Sequence, residues 1–204
     1  MSERRRGLYL NDEWTSWHSN PIPSAEQVPK FHRRLPDYEQ TPLRGLDNLA
    51  QEVGVRAIYV KDEGNRLGLP SFKILGASWG TFRAIALQLS LPLNSELDTL
   101  KATLMGSDIS LYAATDGNHG RAVARMGYWL GLRVEIYVPA VMNASTVRLI
   151  ESEGAIVIRS TGTYDDAVLE AQAASNRPGG LLIQDFAFGG YEDIPQVSIR
   201  IKSA

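Results

Sequence analysis

Two stretches of this sequence join a chemically capable side chain to a glycine-bearing turn at a strand-to-helix junction. The first runs Lys61-Asp62-Glu63-Gly64-Asn65-Arg66-Leu67-Gly68-Leu69-Pro70-Ser71-Phe72-Lys73-Ile74-Leu75-Gly76-Ala77. A polar loop there gives way to an apolar helix with a lysine at its start. A lysine amine can attach covalently to a carbonyl group, and the dipole at a helix's first turn opposes a positive charge there. Taken alone, the position equally suits a surface lysine lying along a helix end. The second stretch runs Ala114-Thr115-Asp116-Gly117-Asn118-His119-Gly120-Arg121-Ala122-Val123-Ala124. Such a turn exposes backbone N–H groups and polar side chains at a helix N-terminus, which suits a carboxylate ligand. By itself it also reads as an Asp-Gly turn with Asn118 as N-cap.

The elements that must position these stretches are read from periodicity. Leu46, Leu49, Ala50 and Val53 fall at helical spacing before Gly54, and Ala57-Ile58-Tyr59-Val60 follows as a strand. A long helix is expected over 72–89, then a strand ending at Ala113-Ala114 and a helix over 118–130. The alternation continues with a strand at 134–138, a helix near 145–153, a strand at 156–158, a helix over 164–174 and a strand at 181–183. Thr163 and Asp166 have the spacing of a capping box. Short strands separated by helices of this length predict βαβ units, parallel pairing and an α/β class. Both turns then follow carboxyl ends of parallel strands, where open α/β sheets place their ligands, so the lysine and the anion cradle should face one crevice.

Composition removes competing readings. Lys plus Arg is 21 and Asp plus Glu is 23, a formal charge of −2, which gives no field to attract nucleic acid or an anionic membrane. Arg4-Arg5-Arg6 is the single dense basic run and reads as a solvated end. No apolar stretch suits a membrane span or a signal peptide, so a cytoplasmic location is expected. The chain has no cysteine, and its histidines, His18, His32 and His119, are scattered, so no metal motif is present. Neither the dinucleotide glycine fingerprint nor a P-loop occurs.

The two stretches together, with 43 positions between Lys73 and Asp116, resemble the pyridoxal-phosphate enzymes of fold type II, the tryptophan synthase β-like family. Within that family, Asp-Gly-Asn-His-Gly-Arg, Gln184-Asp185, Gly190-Tyr191-Glu192 and Ile194-Pro195 are most similar to the diaminopropionate ammonia-lyases. The resemblance covers about residues 40–195. It implies pyridoxal 5'-phosphate as cofactor, parallel sheets with flanking helices, and a homodimer for the complete enzyme. It also implies α,β-elimination of 2,3-diaminopropionate to pyruvate and ammonia. Lys73 is implied as the cofactor's covalent anchor and a base, Asp116 as a second base on the opposite face, and Asn118 and Phe72 as cofactor contacts. Thr115, Asp116, Gly117, Asn118 and His119 are implied as the substrate-carboxylate cradle, with Asp185 near the substrate's amino end.

The same resemblance implies a division into residues 1–80, an irregular arm and the first part of a large domain; 81–178, a smaller α/β domain; and 179–204, a return to the large domain. Residues 1–42 hold Pro21, Pro23, Pro29 and Pro36 with Trp14, Trp17 and Phe31, and read as an arm packed by its aromatics. Family members run to about twice this length, so the large domain is expected to be incomplete and this chain inactive alone. Gly179-Gly180 and Gly189-Gly190 read as turns. The alternatives are a serine/threonine dehydratase-like β-eliminating enzyme, which has no need of an acid at Asp116, and a non-catalytic remnant of the family.

Overall fold

Residues 26–192, 194 and 195 are described in a computed structural model of the chain. The arginine run, Trp14, Trp17 and the tail beyond Pro195 lie outside them. The described part of the arm carries a short helix, α1 (Gln27–His32). It does pack by an aromatic side chain, since Phe31 lies 5.3 Å from Trp79 and 4.7 Å from Phe82 between ring centroids. Then come β1 (Leu43–Gly45), α2 (Asp47–Val53), β2 (Tyr59–Lys61), α3 (Lys73–Gln88), α4 (Leu97–Leu104), β3 (Ser110–Ala114) and α5 (Asn118–Leu130). The remaining elements are β4 (Arg133–Val138), α6 (Ala144–Glu151), β5 (Ile156–Arg159), α7 (Tyr164–Ser175) and β6 (Gly180–Leu182).

Four strands form one parallel sheet in the order β5-β4-β3-β6. Side chains alternate across a strand, and here the alternation sorts them into two layers. Leu111, Ala113, Val134, Ile136 and Val138 face the core shared with α3 and α5, whereas Tyr112, Ala114 and Tyr137 face Ala167, Val168 and Ala171 of α7. All five positions of β3 are buried, as expected of a central strand covered on both faces. β6 pairs with β3 and completes this sheet.

The expectation that both turns follow parallel strands is corrected for the first. β2 lies one to two residues later than expected and pairs antiparallel with β1, Leu43 opposite Lys61 and Gly45 opposite Tyr59. Side chains across this pair secure it: Arg44 Nε donates to Asp62 at 2.5 Å, and Lys61 Nζ donates to Thr41. α4 was not among the expected elements, although Leu97, Leu100 and Leu104 repeat at helical spacing and the last two are buried.

Candidate active site

The loop before Lys73 is built around one buried guanidinium. Arg66 donates from Nε and Nη2 to the two oxygens of Glu63 at 2.5 and 2.6 Å, and from Nη2 to Thr41 Oγ1 at 2.6 Å. This bidentate pairing holds the Glu63 carboxyl below its ordinary pKa. Arg66 and Leu69 then exchange backbone hydrogen bonds of 2.8 and 3.0 Å around Leu67 and Gly68, at φ +53° and +74°. Two left-handed central residues define a tight primed turn. Leu67 occupies such a position because its side chain is in the core, and Arg125 Nη1 donates to its carbonyl at 3.2 Å. The chain emerges with Lys73 as the first residue of α3.

Each residue of the 115–120 turn has a distinct task. Thr115 Oγ1 accepts from the N–H groups of Gly117 and Gly120, both at 2.9 Å, so the capping oxygen comes from Thr115. Asn118 is the first helical residue and not the N-cap; Gly117 occupies that place at φ +155°. A Cβ on Gly120 would overlap Thr115 Cγ2 and lie 3.0 Å from Ile136 Cγ2, so only glycine lets α5 approach the sheet this closely. His119 is buried, with Nε2 2.7 Å from the Ile183 carbonyl oxygen. Thr115, His119 and Gly120 are buried, whereas Asp116 and Asn118 are the exposed members.

A third wall comes from the segment after β6. Gln184 is fully buried; its Oε1 accepts from Ala114 N and its Nε2 donates to Tyr164 Oη, both at 3.0 Å. Tyr191 Oη accepts from Gln184 N and donates to Leu182 O, both at 2.8 Å, which fixes the bend that carries Asp185. Asp185 Oδ2 forms an ion pair with Lys73 Nζ and lies 3.9 Å from His119 Nδ1. Tyr164 opens α7, where burial first, then the charges of Asp185 and Asp116, push its phenol up to about 12. It therefore stays protonated at neutral pH.

These walls enclose a cleft of about 680 Å³ that brings together Lys73, Thr115, Asp116, Gly117, Asn118, His119 and Asp185. Phe72 does not line it; its ring centroid is 6.0 Å from Lys73 Nζ and the residue is exposed. Arg121, Thr146 and Tyr164 also line the cleft and were not singled out from sequence. Tyr164 follows the carboxyl end of β5, so extending the strand-end rule to every parallel strand of the sheet reaches it. The Thr163–Asp166 capping box is present, with bonds of 2.7 and 3.3 Å. No group of three or more possible metal ligands occurs among the described residues.

The donor set fits part of an aromatic aldehyde cofactor such as pyridoxal phosphate. Lys73 offers an amine for the aldehyde, and Asn118 an exposed amide at the same cleft for a ring oxygen. Of the described glycine pairs, Gly179-Gly180 is accounted for by close backbone packing, whereas Gly189-Gly190 borders open space. At Gly179 and Gly180 an added Cβ meets the backbone of Asp108 and Ser175, and at Gly189 and Gly190 it meets nothing within 4 Å.

Lys73 and the glycine-bearing turn at the start of α5 thus face one cleft beside a parallel sheet. The family model for pyridoxal-phosphate dependent enzymes matches residues 35–195, and the chain belongs to that family. It is 38% identical over 175 residues to diaminopropionate ammonia-lyase of Salmonella typhimurium, covering 84% of this chain and 43% of the relative. The apo crystal structure of diaminopropionate ammonia-lyase from Escherichia coli superposes with a TM-score of 0.80 at 33% identity, covering 87% of this chain and 48% of that one. Threonine deaminase isoform 2 of Solanum lycopersicum shares the fold, with a TM-score of 0.55 at 23% identity. The chain spans just under half the length of the ammonia-lyases it matches. Among the described residues no helix is long and apolar enough to cross a membrane.

Proposed function

We propose that this chain carries the reacting half of a cytoplasmic pyridoxal-phosphate-dependent ammonia-lyase that eliminates ammonia from 2,3-diaminopropionate, working as a homodimer when complete. The observation that carries this reading is the convergence of Lys73, Asp116, Asn118 and Asp185, from three separate segments, on one cleft. When bound, pyridoxal phosphate supplies an electron sink for negative charge at the substrate's α-carbon.

This chain's own residues do the rest. Lys73 Nζ would hold the cofactor, and its amine would take the α-proton from one face. The Asp116 carboxylate, exposed on the turn, takes it from the other, which admits both enantiomers. Asn118 orients the cofactor through its amide, with Phe72 flanking the anchor. The turn from Thr115 to His119 receives the substrate carboxylate at the amino end of α5. Asp185 would receive the substrate's amino end, a role that its ion pair with the Lys73 amine supports. The division into 1–80, 81–178 and 179–204 is part of the same proposal.

The test begins with the chain incubated with pyridoxal phosphate, reduced with borohydride and mapped by peptide mass. The expected adduct is on Lys73, and one on Lys61 or Lys101 refutes the anchor. Pyruvate formation from diaminopropionate, against serine and threonine, on a protein continued to the length of its relatives then decides the substrate. Faster turnover of serine or threonine overturns the ammonia-lyase reading.

A further inference from the structure

One cation in the cleft has no part in the chemistry just proposed. Arg121 lines the wall between α5 and α6 beside Thr146, and its side chain is 15% exposed. Its Nη2 donates to Glu153 Oε1 at 2.8 Å, while its Nε is buried with no hydrogen-bond partner. Glu153 is itself buried, and its other oxygen accepts from Arg125 Nε at 2.6 Å. One carboxylate therefore serves two guanidiniums. Arg125 is further held by the Leu67 carbonyl and does not line the cleft. Asp116, on the same cleft, makes no ion pair with either arginine among the described residues.

Two positive charges against one negative leave a surplus of one among three mostly buried side chains. An undercompensated guanidinium in such a place attracts an anion, and its planar fork matches a carboxylate or phosphate. A structural brace between α5 and the Leu67 turn needs only Arg125 and Glu153. Bracing therefore does not account for Arg121.

We infer that Arg121 is an oxyanion-binding element of the cleft, taking a small carboxylate or phosphate group on the α6 side, apart from the 115–119 turn. This rests on the reading of the cleft as a ligand site. The charge count makes three separate statements. Arg121→Gln removes the site. Arg125→Gln leaves Glu153 to Arg121 alone and weakens the site, although Arg125 lies outside the cleft. Glu153→Gln removes the compensating charge and strengthens it.

The experiment is calorimetric titration of the full chain, without cofactor and in low-chloride buffer, with sodium acetate and with inorganic phosphate separately. Saturable binding of at least one is expected, about tenfold or more weaker in Arg121→Gln, on the scale of one charge-assisted bond. Arg121→Lys should be intermediate, because it keeps the charge and loses the fork. Tighter binding of acetate assigns the site to carboxylates, and tighter binding of phosphate assigns it to phosphoryl groups. Absence of saturable binding in the wild type, or equal binding by wild type and Arg121→Gln, overturns the inference. So does unchanged or tighter binding in Arg125→Gln. If circular dichroism shows Arg121→Gln unfolded, Arg121→Lys and Arg125→Gln decide. Because no cofactor is added, a Lys73 adduct without anion binding defeats this inference alone, and anion binding without the adduct defeats the cofactor anchor alone.

Discussion

Acidification should loosen the packing behind Lys73 through a single residue, His32. The ring is 5% exposed, and Nε2 lies 2.9 Å from the carbonyl oxygen of Leu75, two residues beyond Lys73 on α3. Burial, opposed by the bond to Leu75 and reinforced by the charge of Arg66, holds its pKa at about 4, against an ordinary 6.5. The folded chain therefore keeps His32 neutral over a range in which the unfolded chain protonates it. Above pH 6.5 neither state carries the proton and stability is unaffected. Between 6.5 and about 4 the unfolded state binds more protons, so stability falls as pH falls, and below about 4 the loss is complete. At about 1.36 kcal/mol per pH unit, this window amounts to about 3 kcal/mol. Urea unfolding followed by circular dichroism at about pH 7, 5.5 and 4.5 reads it directly. His32→Gln supplies the comparison, since its amide can still donate to Leu75 and does not titrate. Wild type should lose about 2 to 3 kcal/mol more than the variant between about pH 7 and 4.5. Parallel pH dependences would refute the assignment of that loss to His32.

Three further outcomes are expected. Gly120→Ala should lower stability by about 1 to 3 kcal/mol, read from the shift in urea midpoint, because its Cβ would overlap Thr115 and crowd Ile136. Thr115→Ala should cost about 1 to 2 kcal/mol by removing the acceptor of two amide groups, and Thr115→Ser should recover most of it. Asp116→Asn, in a protein continued to the length of its relatives, should lower turnover of D-2,3-diaminopropionate far more than that of the L form. Stability should change by less than about 0.5 kcal/mol, because Asp116 is exposed; chiral-substrate kinetics and a melting curve check both halves.

Local signals and long-range pairing contributed unequally to what the sequence revealed. α5 was readable at both ends because Gly117 and Gly131, at φ +155° and +70°, bracket it with backbone conformations that other residues rarely adopt. The capping box of α7 was legible for a similar reason, since its bonds span only three residues. β2 was misplaced because nothing within 57–61 encodes its partner; Arg44 and Thr41 do, from more than fifteen residues away. The Lys73–Asp185 ion pair spans 112 positions, so no periodicity or spacing rule could reach it. Its two members were found separately, one from a helix start and one through family resemblance. Arg121 was in plain view within the quoted motif, but its significance depends on Glu153 and Arg125, which only the packing of α5 brings together.

The geometry also explains how one short turn can be held rigidly and still expose polar side chains to the cleft. Four residues of Thr115-Asp116-Gly117-Asn118-His119-Gly120 answer to the scaffold: Thr115 accepts two amides, Gly117 supplies the φ, His119 reaches Ile183, and Gly120 admits the sheet. Their geometric demands are met inside the protein, and this holds the backbone of the turn in place. Asp116 and Asn118 alternate with them and are the two left exposed at the cleft. A substitution among the first four must therefore disturb stability and site together. One at Asp116 or Asn118 changes what the turn presents to the cleft while the fold stays as it is, which makes those two positions the informative ones for testing the proposed function apart from folding.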